Sequence, residues 1–316
     1  MRALDAHRIE AAAHAIDPVF LATPLVGSAS LNEVLGLDLL CKVECLNPIR
    51  SFKGRGTDWF VAEVAGRTAA LACASAGNFG QGLARAGARR GIAVSVFAAE
   101  TASPLKVEAM RRLGADVRLV GADFDAAKDA ARAFAREQGV PFVEDGAEPA
   151  VAEGAGTIAR EVTRAGVGLG SALVPLGNGA LATGMGAWFK AAAPDVEVVG
   201  VVAAGAPSML RSFEAGVPVP TESAATIADG IAVREPVSYA VACMAALVDD
   251  VVAVPDDTIL HAMRLLHEHL GIVVEPAGAA GVAAIIARPE RWRGRSVVTV
   301  LCGGNLTPEQ MRRWLF

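Results

Sequence analysis

The chain has 316 residues, of which 53% are hydrophobic and 20% charged, with a formal net charge of −5 at pH 7. That length holds two globular lobes or one large α/β unit, and the acidic balance without a basic cluster argues against a nucleic-acid partner. The apolar excess is mostly Ala and Val, which suits parallel strands buried on both faces and closely packed helices, and glycines and charges interrupt every run before it reaches membrane-spanning length.

The opening stretch MRALDAHRIEAAAHAI reads as an amphipathic helix, because Asp5 and Glu10 break the apolar core a signal peptide needs. LLCKVECLNP is extended and ends at Asn47-Pro48, where the proline biases Asn47 away from helix. A helix is predicted from near Ser51 through TDWFVAEVAG, which puts Lys53 in its first turn. The macrodipole disfavours a cation there. A lysine at that position suits a neutral, nucleophilic role, characteristically a Schiff base with a carbonyl. TAALACAS, AVSVFAA, DVRLV and PFV follow as short apolar runs, each leading into a helical stretch. Ser103-Pro104 is the expected cap and first position of a helix that stops at Gly114. A second series begins near residue 171 with SALVPLG, VEVVGVV, VVAVP and SVVTVLCG. Asp256 or Asp257 is expected to cap DDTILHAMRLLHEHLG, and Gly271 to end it.

Such alternation implies an α/β fold of parallel sheets with helices on both faces. Ligands bind such sheets outside the carboxyl ends of the strands. Lys53, Asn78, Gly177 and Cys302 all fall just past predicted strand ends, so they share one address. No linker or repeat marks a lobe boundary.

In ASAGNFGQGLARAG, residues 74–87, Ser75, Ala76, Gly77 and Asn78 open a helix directly after a strand. Backbone N–H groups at such a start bind a carboxylate or phosphate, and Asn78 adds a side-chain donor. An ordinary turn capped by Ser or Asn is the alternative. PLGNGALATG, residues 175–184, is a second turn of this kind. Gly177 and Gly179 let the backbone approach a phosphate, and the helix from Ala180 points its positive end at it. The segment also matches GxGxxA, but the dinucleotide fingerprint expects an acid about 20 residues on, at the end of the next strand. VEVVGVVAA ends in Val and Ala, so a single-phosphate cradle is the better reading.

Cys302 precedes Gly303-Gly304 at a strand end, whereas Cys41, Cys45, Cys73 and Cys243 read as inert packing. Five cysteines without a CxxC pair point to a reduced, cytoplasmic compartment. Glu275, in VVEPAGAAG, precedes a proline-initiated helix and could simply stabilise its N-terminus. His267 and His269 read as solvated helix residues, and there is no HExxH.

Together these segments resemble the fold-type II pyridoxal-phosphate enzymes, and within them the serine/threonine dehydratases (threonine ammonia-lyase-like) with their serine-racemase relatives. The likeness runs from TPL at Thr23 to CGGN at Cys302 and includes SFKGRG, SAGN, ADGIAV, LVDDVV and VVEPAGAAG in the family's order. It implies two lobes, each a mostly parallel twisted sheet flanked by helices, with the cofactor in the cleft between. Residues 1–65 and 150–316 would form the large cofactor-binding domain, and residues 66–149 the small one. The cofactor would be pyridoxal 5'-phosphate, joined to Lys53, with Phe52 against its ring and Asn78 on its phenolic oxygen. Gly177, Asn178, Gly179, Ala180 and Leu181 would hold its phosphate, Cys302 would face the pyridine nitrogen, and Gly230 and Glu275 would complete the site. Ser75 to Asn78 would bind the substrate carboxylate. A homodimer is the family expectation, with a small amino acid as substrate.

A thiol, with a reference pKa of about 8.5, cannot hold a pyridinium proton as a carboxylate can. That favours β-elimination over transamination. The expected reaction is therefore dehydration and deamination of L-threonine or L-serine to a 2-oxo acid and ammonia. Rivals are a 3-hydroxyaspartate ammonia-lyase, an amino-acid racemase, a β-replacement enzyme, or a non-catalytic cofactor-binding protein. Ala76 stands where related racemases carry a serine, which speaks against racemisation. Three departures stand out. The phosphate loop reads GNGAL where a run of four glycines is usual. Arg50 replaces a small residue and is expected to pair with a surface acid rather than with an acidic substrate. Val202 and Ser208 occupy the positions that bear acidic ligands in cation-binding relatives, so no metal is expected. The chain ends soon after CGGN, so feedback control of the kind seen in longer relatives is not expected.

Overall fold

Ten strands form two separate sheets in the computed structural model, which describes residues 2–316. They are β1 (Leu25–Val26), β2 (Asp38–Val43), β3 (Ala70–Ala74), β4 (Ala93–Ala98), β5 (Asp116–Leu119), β6 (Phe142–Val143), β7 (Ser171–Pro175), β8 (Glu197–Ala203), β9 (Asp250–Val254) and β10 (Ser296–Leu301). The larger sheet has the order β1-β2-β10-β7-β8-β9, and the smaller β5-β4-β3-β6. All pairings are parallel except that of the short edge strand β1 with β2. Val297 of β10 lies between Leu39 of β2 and Ser171 of β7, which fixes the register at the centre of the larger sheet. β7 is buried at every position and β10 at all but its first, the pattern of parallel strands covered on both faces.

Small residues bring the central helices into backbone contact. A Cβ on Gly184 would stand 2.0 Å from the Ala152 carbonyl oxygen, and one on Gly154 2.6 Å from the Gly56 Cα. The helices Lys53–Val64, Pro149–Arg164 and Ala180–Ala192 therefore pack more closely than larger side chains would permit. This explains the Ala and Gly content better than strand burial alone.

A buried ionic cluster anchors the first of these helices. Arg55 is fully buried and donates through Nε and Nη2 to both carboxylate oxygens of Glu44 at 2.8 Å. It also reaches Glu161 at 2.7 and 3.0 Å. Lys42 supplies the second cation, 2.6 Å from Glu161. Two cations thus meet two carboxylates with their hydrogen bonds made, the condition under which buried charge is tolerated. Burial favours the neutral form of Glu161, but Arg55 and Lys42 prevail and hold its carboxyl down at about 2.

Two local expectations are corrected. Pro255, not an aspartate, caps the helix Asp256–Leu270, and Asp256 instead accepts from Thr226 Oγ1 and Ile227 N, tying down the chain that leads to Gly230. His267 is half-buried, edge-on to Phe316 at 5.4 Å between centroids, so it is not a freely solvated residue.

Candidate active site

Site residues follow the carboxyl ends of β3 and β6, neighbours in the smaller sheet, and of β7 and β10, neighbours in the larger. Lys53 is the first residue of its helix. The turn before it is stitched to the end of β10, because Phe52 N and Ser51 Oγ both donate to the Cys302 carbonyl, at 3.0 and 3.2 Å. Lys53 and Cys302 are thereby placed by one set of bonds. Lys53 Nζ lies 4.5 Å from the Phe52 ring centroid and 2.6 Å from Asp145 Oδ2. Asp145 supplies a counter-charge that the helix terminus withholds, a partner the helix dipole alone does not announce.

On the smaller sheet, Ser75 Oγ accepts from Gly77 N at 3.2 Å and Gly80 N at 3.0 Å. It holds the first turn of the helix Asn78–Arg90 through Gly80 N, while Gly77 is the N-cap residue and offers no side-chain cap. Ala76 and Asn78 keep backbone amides that donate to no protein acceptor among the described residues. The Asn78 side chain donates to Glu275 Oε1 at 2.8 Å and accepts from Asn305 Nδ2 at 2.8 Å. Asn305 N donates in turn to Glu275 Oε2 at 3.2 Å. One amide hydrogen of Asn78 remains for a ligand. Glu275 also stands as the N-cap residue of the helix Pro276–Ala287. Burial and the nearby charge of Asp229 push its carboxyl up to about 7. Burial, with Glu275 adding to it, raises the Cys302 thiol well above its ordinary value, so the thiol keeps its proton at neutral pH.

Gly179 has φ +95°, and a Cβ there would stand 2.6 Å from Ala240 Cβ. A Cβ on Gly177 would stand 2.7 Å from the Gly230 carbonyl oxygen. Neither position admits a side chain. The amides of residues 177 through 181 donate to no protein acceptor among the described residues. Five consecutive free N–H groups at a helix start form an anion cradle.

A cavity of about 560 Å³ opens between the two sheets. Phe52, Lys53, Ser75 through Asn78, Asn178, Gly230, Glu275 and Cys302 line it. Gly177, Gly179, Ala180 and Leu181 do not, and the Leu181 side chain belongs to the core, leaving only its amide to contribute. Cys41, Cys45 and Cys73 are buried and free, and burial pushes their thiols up to about 12, 11 and 12.

Sequence reasoning missed Asp145, Lys106, Asp229 and Asn305. Asp145 could have been found, since it follows β6 as Asn78 follows β3. Lys106 is a helix residue that pairs with Asp229 across the cavity, a contact between distant segments that no local pattern announces. Arg50 is also a correction. It is exposed, has φ +52°, pairs with no carboxylate among the described residues and does not line the cavity. Val202 is buried in β8, and Ser208 Oγ donates to the Val233 carbonyl at 2.6 Å.

The sequence pattern of the pyridoxal-phosphate-dependent enzymes matches residues 16–303. The chain belongs to that family, and its cofactor is pyridoxal phosphate. It is 34% identical over 307 residues to the L-threonine ammonia-lyase of Thermotoga maritima, covering 96% of this chain and 76% of that protein. Among solved structures, the processed threonine deaminase isoform 2 of Solanum lycopersicum superposes with a TM-score of 0.91 at 28% identity, over 99% of this chain and 94% of that one. Maize serine racemase superposes with 0.92 at 26% identity, over 99% and 97%.

The residues present fit the cofactor. Five free amides suit a phosphate, a spare amide hydrogen on Asn78 suits a ring oxygen, and a protonated thiol suits an uncharged ring nitrogen.

Proposed function

We propose that the chain is a lyase that dehydrates and deaminates L-threonine or L-serine, yielding a 2-oxo acid and ammonia. The observation that carries this reading is the single cavity around Lys53, the Ser75–Asn78 loop, Asn178 and Cys302, in a chain 34% identical to an L-threonine ammonia-lyase. When bound, pyridoxal phosphate withdraws electrons from the Cα of an amino acid joined to it.

This chain's residues would supply the rest. Lys53 Nζ would hold the cofactor's aldehyde carbon, and the amides of Gly177 through Leu181 its phosphate. Asn78, oriented by Glu275 and Asn305, would hold the ring oxygen. Cys302, keeping its proton, would offer the ring nitrogen a neutral partner, which favours loss of a β-substituent over transamination. The free amides of Ala76 and Asn78 would bind the substrate carboxylate. Lys53 Nζ would then take the Cα proton as a general base.

The racemase reading is weaker on this loop. Ala76, at the position of the racemases' serine, offers only a methyl group and returns no proton, and Ser75 Oγ is turned toward the amides of Gly77 and Gly80. Residues 66–149 would form the small lobe and residues 1–65 and 150–316 the large one, with the cofactor in the cleft between them. A cytoplasmic location suits five free cysteines, and a homodimer follows the family expectation. The test is release of 2-oxo acid from threonine and serine by the cofactor-loaded protein. A loaded, folded protein that forms none from either would refute the reading.

A further inference from the structure

Asp145 is the carboxylate nearest to Lys53 Nζ, at 2.6 Å, and Asn178 Nδ2 lies 3.4 Å from the same Oδ2. Its other oxygen, Oδ1, is buried and has no hydrogen-bond partner. A buried carboxylate oxygen without a donor is costly and rare. The residue cannot swing away freely. A Cβ on its neighbour Gly146 would stand 2.1 Å from the Asn178 carbonyl, so the backbone here is pressed against the anion cradle. Asp145, one oxygen already lacking a donor, thus lines the cavity beside the Lys53 amine that would hold the cofactor.

The other cations of the cavity cannot replace it. Lys106 pairs with Asp229, Lys128 with Glu144, and Arg234 with Asp125. In all, eight carboxylates and four cationic side chains line the cavity, an excess of four acids before any phosphate is added. An anionic cavity with low-dielectric walls repels a further anion and attracts a cation.

We propose that Asp145 is a specificity-determining residue that accepts a hydrogen bond from a donor on the substrate's Cβ. The site then takes amino acids with a β-hydroxyl or β-ammonium group and rejects those with a β-carboxylate. This rests on the lyase reading and narrows it, since it sets 3-hydroxyaspartate, with its second carboxylate, outside the substrate class.

Binding can be separated from turnover in the Lys53→Ala protein reconstituted with cofactor, where ligand binding is read from the shift of the cofactor's absorption band. L-2,3-diaminopropionate and L-serine should bind at least about tenfold more tightly than L-alanine, and L-aspartate more weakly than L-alanine. In Lys53→Ala/Asp145→Asn the order of diaminopropionate and aspartate should compress by about tenfold or reverse. In the Lys53-intact protein, L-alanine and L-aspartate, titrated against the same band, should show the same preference, again lost in Asp145→Asn. A ranking unchanged by Asp145→Asn in either background overturns the assignment. Absence of 2-oxo acid formation from threonine and serine would refute the lyase reading while leaving these rankings measurable. Normal turnover with a flat ranking would remove only the role of Asp145.

Discussion

Asn78 Nδ2 donates to Glu275 Oε1 at 2.8 Å, joining the loop after β3 of the smaller sheet to the helix Pro276–Ala287 that packs on the larger one. The residue proposed to face the cofactor's ring is therefore set by a carboxyl group whose own charge is in balance near neutral pH. Burial first, then Asp229, raises Glu275 from its ordinary 4.5 to about 7, with Lys106 opposing.

Stability should register that proton. The folded protein holds it more tightly than the unfolded chain, so the favourable contribution is complete below 4.5 and is lost as pH rises through about 7. Chemical unfolding of the cofactor-stripped protein should show stability falling between pH 5 and 8 by up to about 3 kcal/mol. Glu275→Gln should flatten that slope. An unchanged slope in the variant would remove Glu275 as its source.

At the cradle, Gly179→Asp should weaken cofactor binding by at least about tenfold through crowding and like-charge repulsion. The φ of +95° and the 2.6 Å approach to Ala240 Cβ leave no room for the side chain. Equilibrium titration of cofactor into the stripped variant checks this, and wild-type affinity would place the phosphate elsewhere.

Arg55→Met should destabilise the protein by about 3–5 kcal/mol, because Glu44 and Glu161 would be left buried with Lys42 as their remaining cation. Denaturant unfolding measures it, and a loss below about 1 kcal/mol would show that the cluster relaxes without cost.

On the loop after β3, Ala76 should keep the enzyme from racemising. With L-serine in D2O, pyruvate should exceed D-serine by a wide margin, and Ala76→Ser should raise the D-serine share. Comparable rates of the two products in the wild-type protein would contradict the reading of this loop.

The strand-end address of Asn78, Gly177 and Cys302 was legible because parallel α/β alternation prescribes where loops converge, whereas Lys53, ten residues past the end of β2, reaches it through the bonds of its turn to the Cys302 carbonyl. Gly179 was legible because the turn admits no Cβ. Asp145 sits two residues past Val143, the end of the strand that PFV marks, so its loop was open to the same strand-end reasoning. Asn305 acts through Asn78 and Glu275, residues 227 and 30 positions away along the chain. Such partners exist only once both sheets are assembled. Arg50 misled for the opposite reason, since a charge in a conspicuous motif suggested a partner, yet its side chain stays in solvent. Asp256 was read as a cap from local pattern, while tertiary contact with Thr226 claimed it.

The most direct measurement combines covalent labelling with turnover. Borohydride treatment of the cofactor-loaded protein, followed by peptide mapping, should place the label on Lys53 alone. The same preparation should convert L-threonine or L-serine to equal amounts of 2-oxo acid and ammonia, and Lys53→Ala should lower that rate by about 10³-fold or more. A label on any other lysine, or undiminished 2-oxo acid formation by Lys53→Ala, would contradict the account.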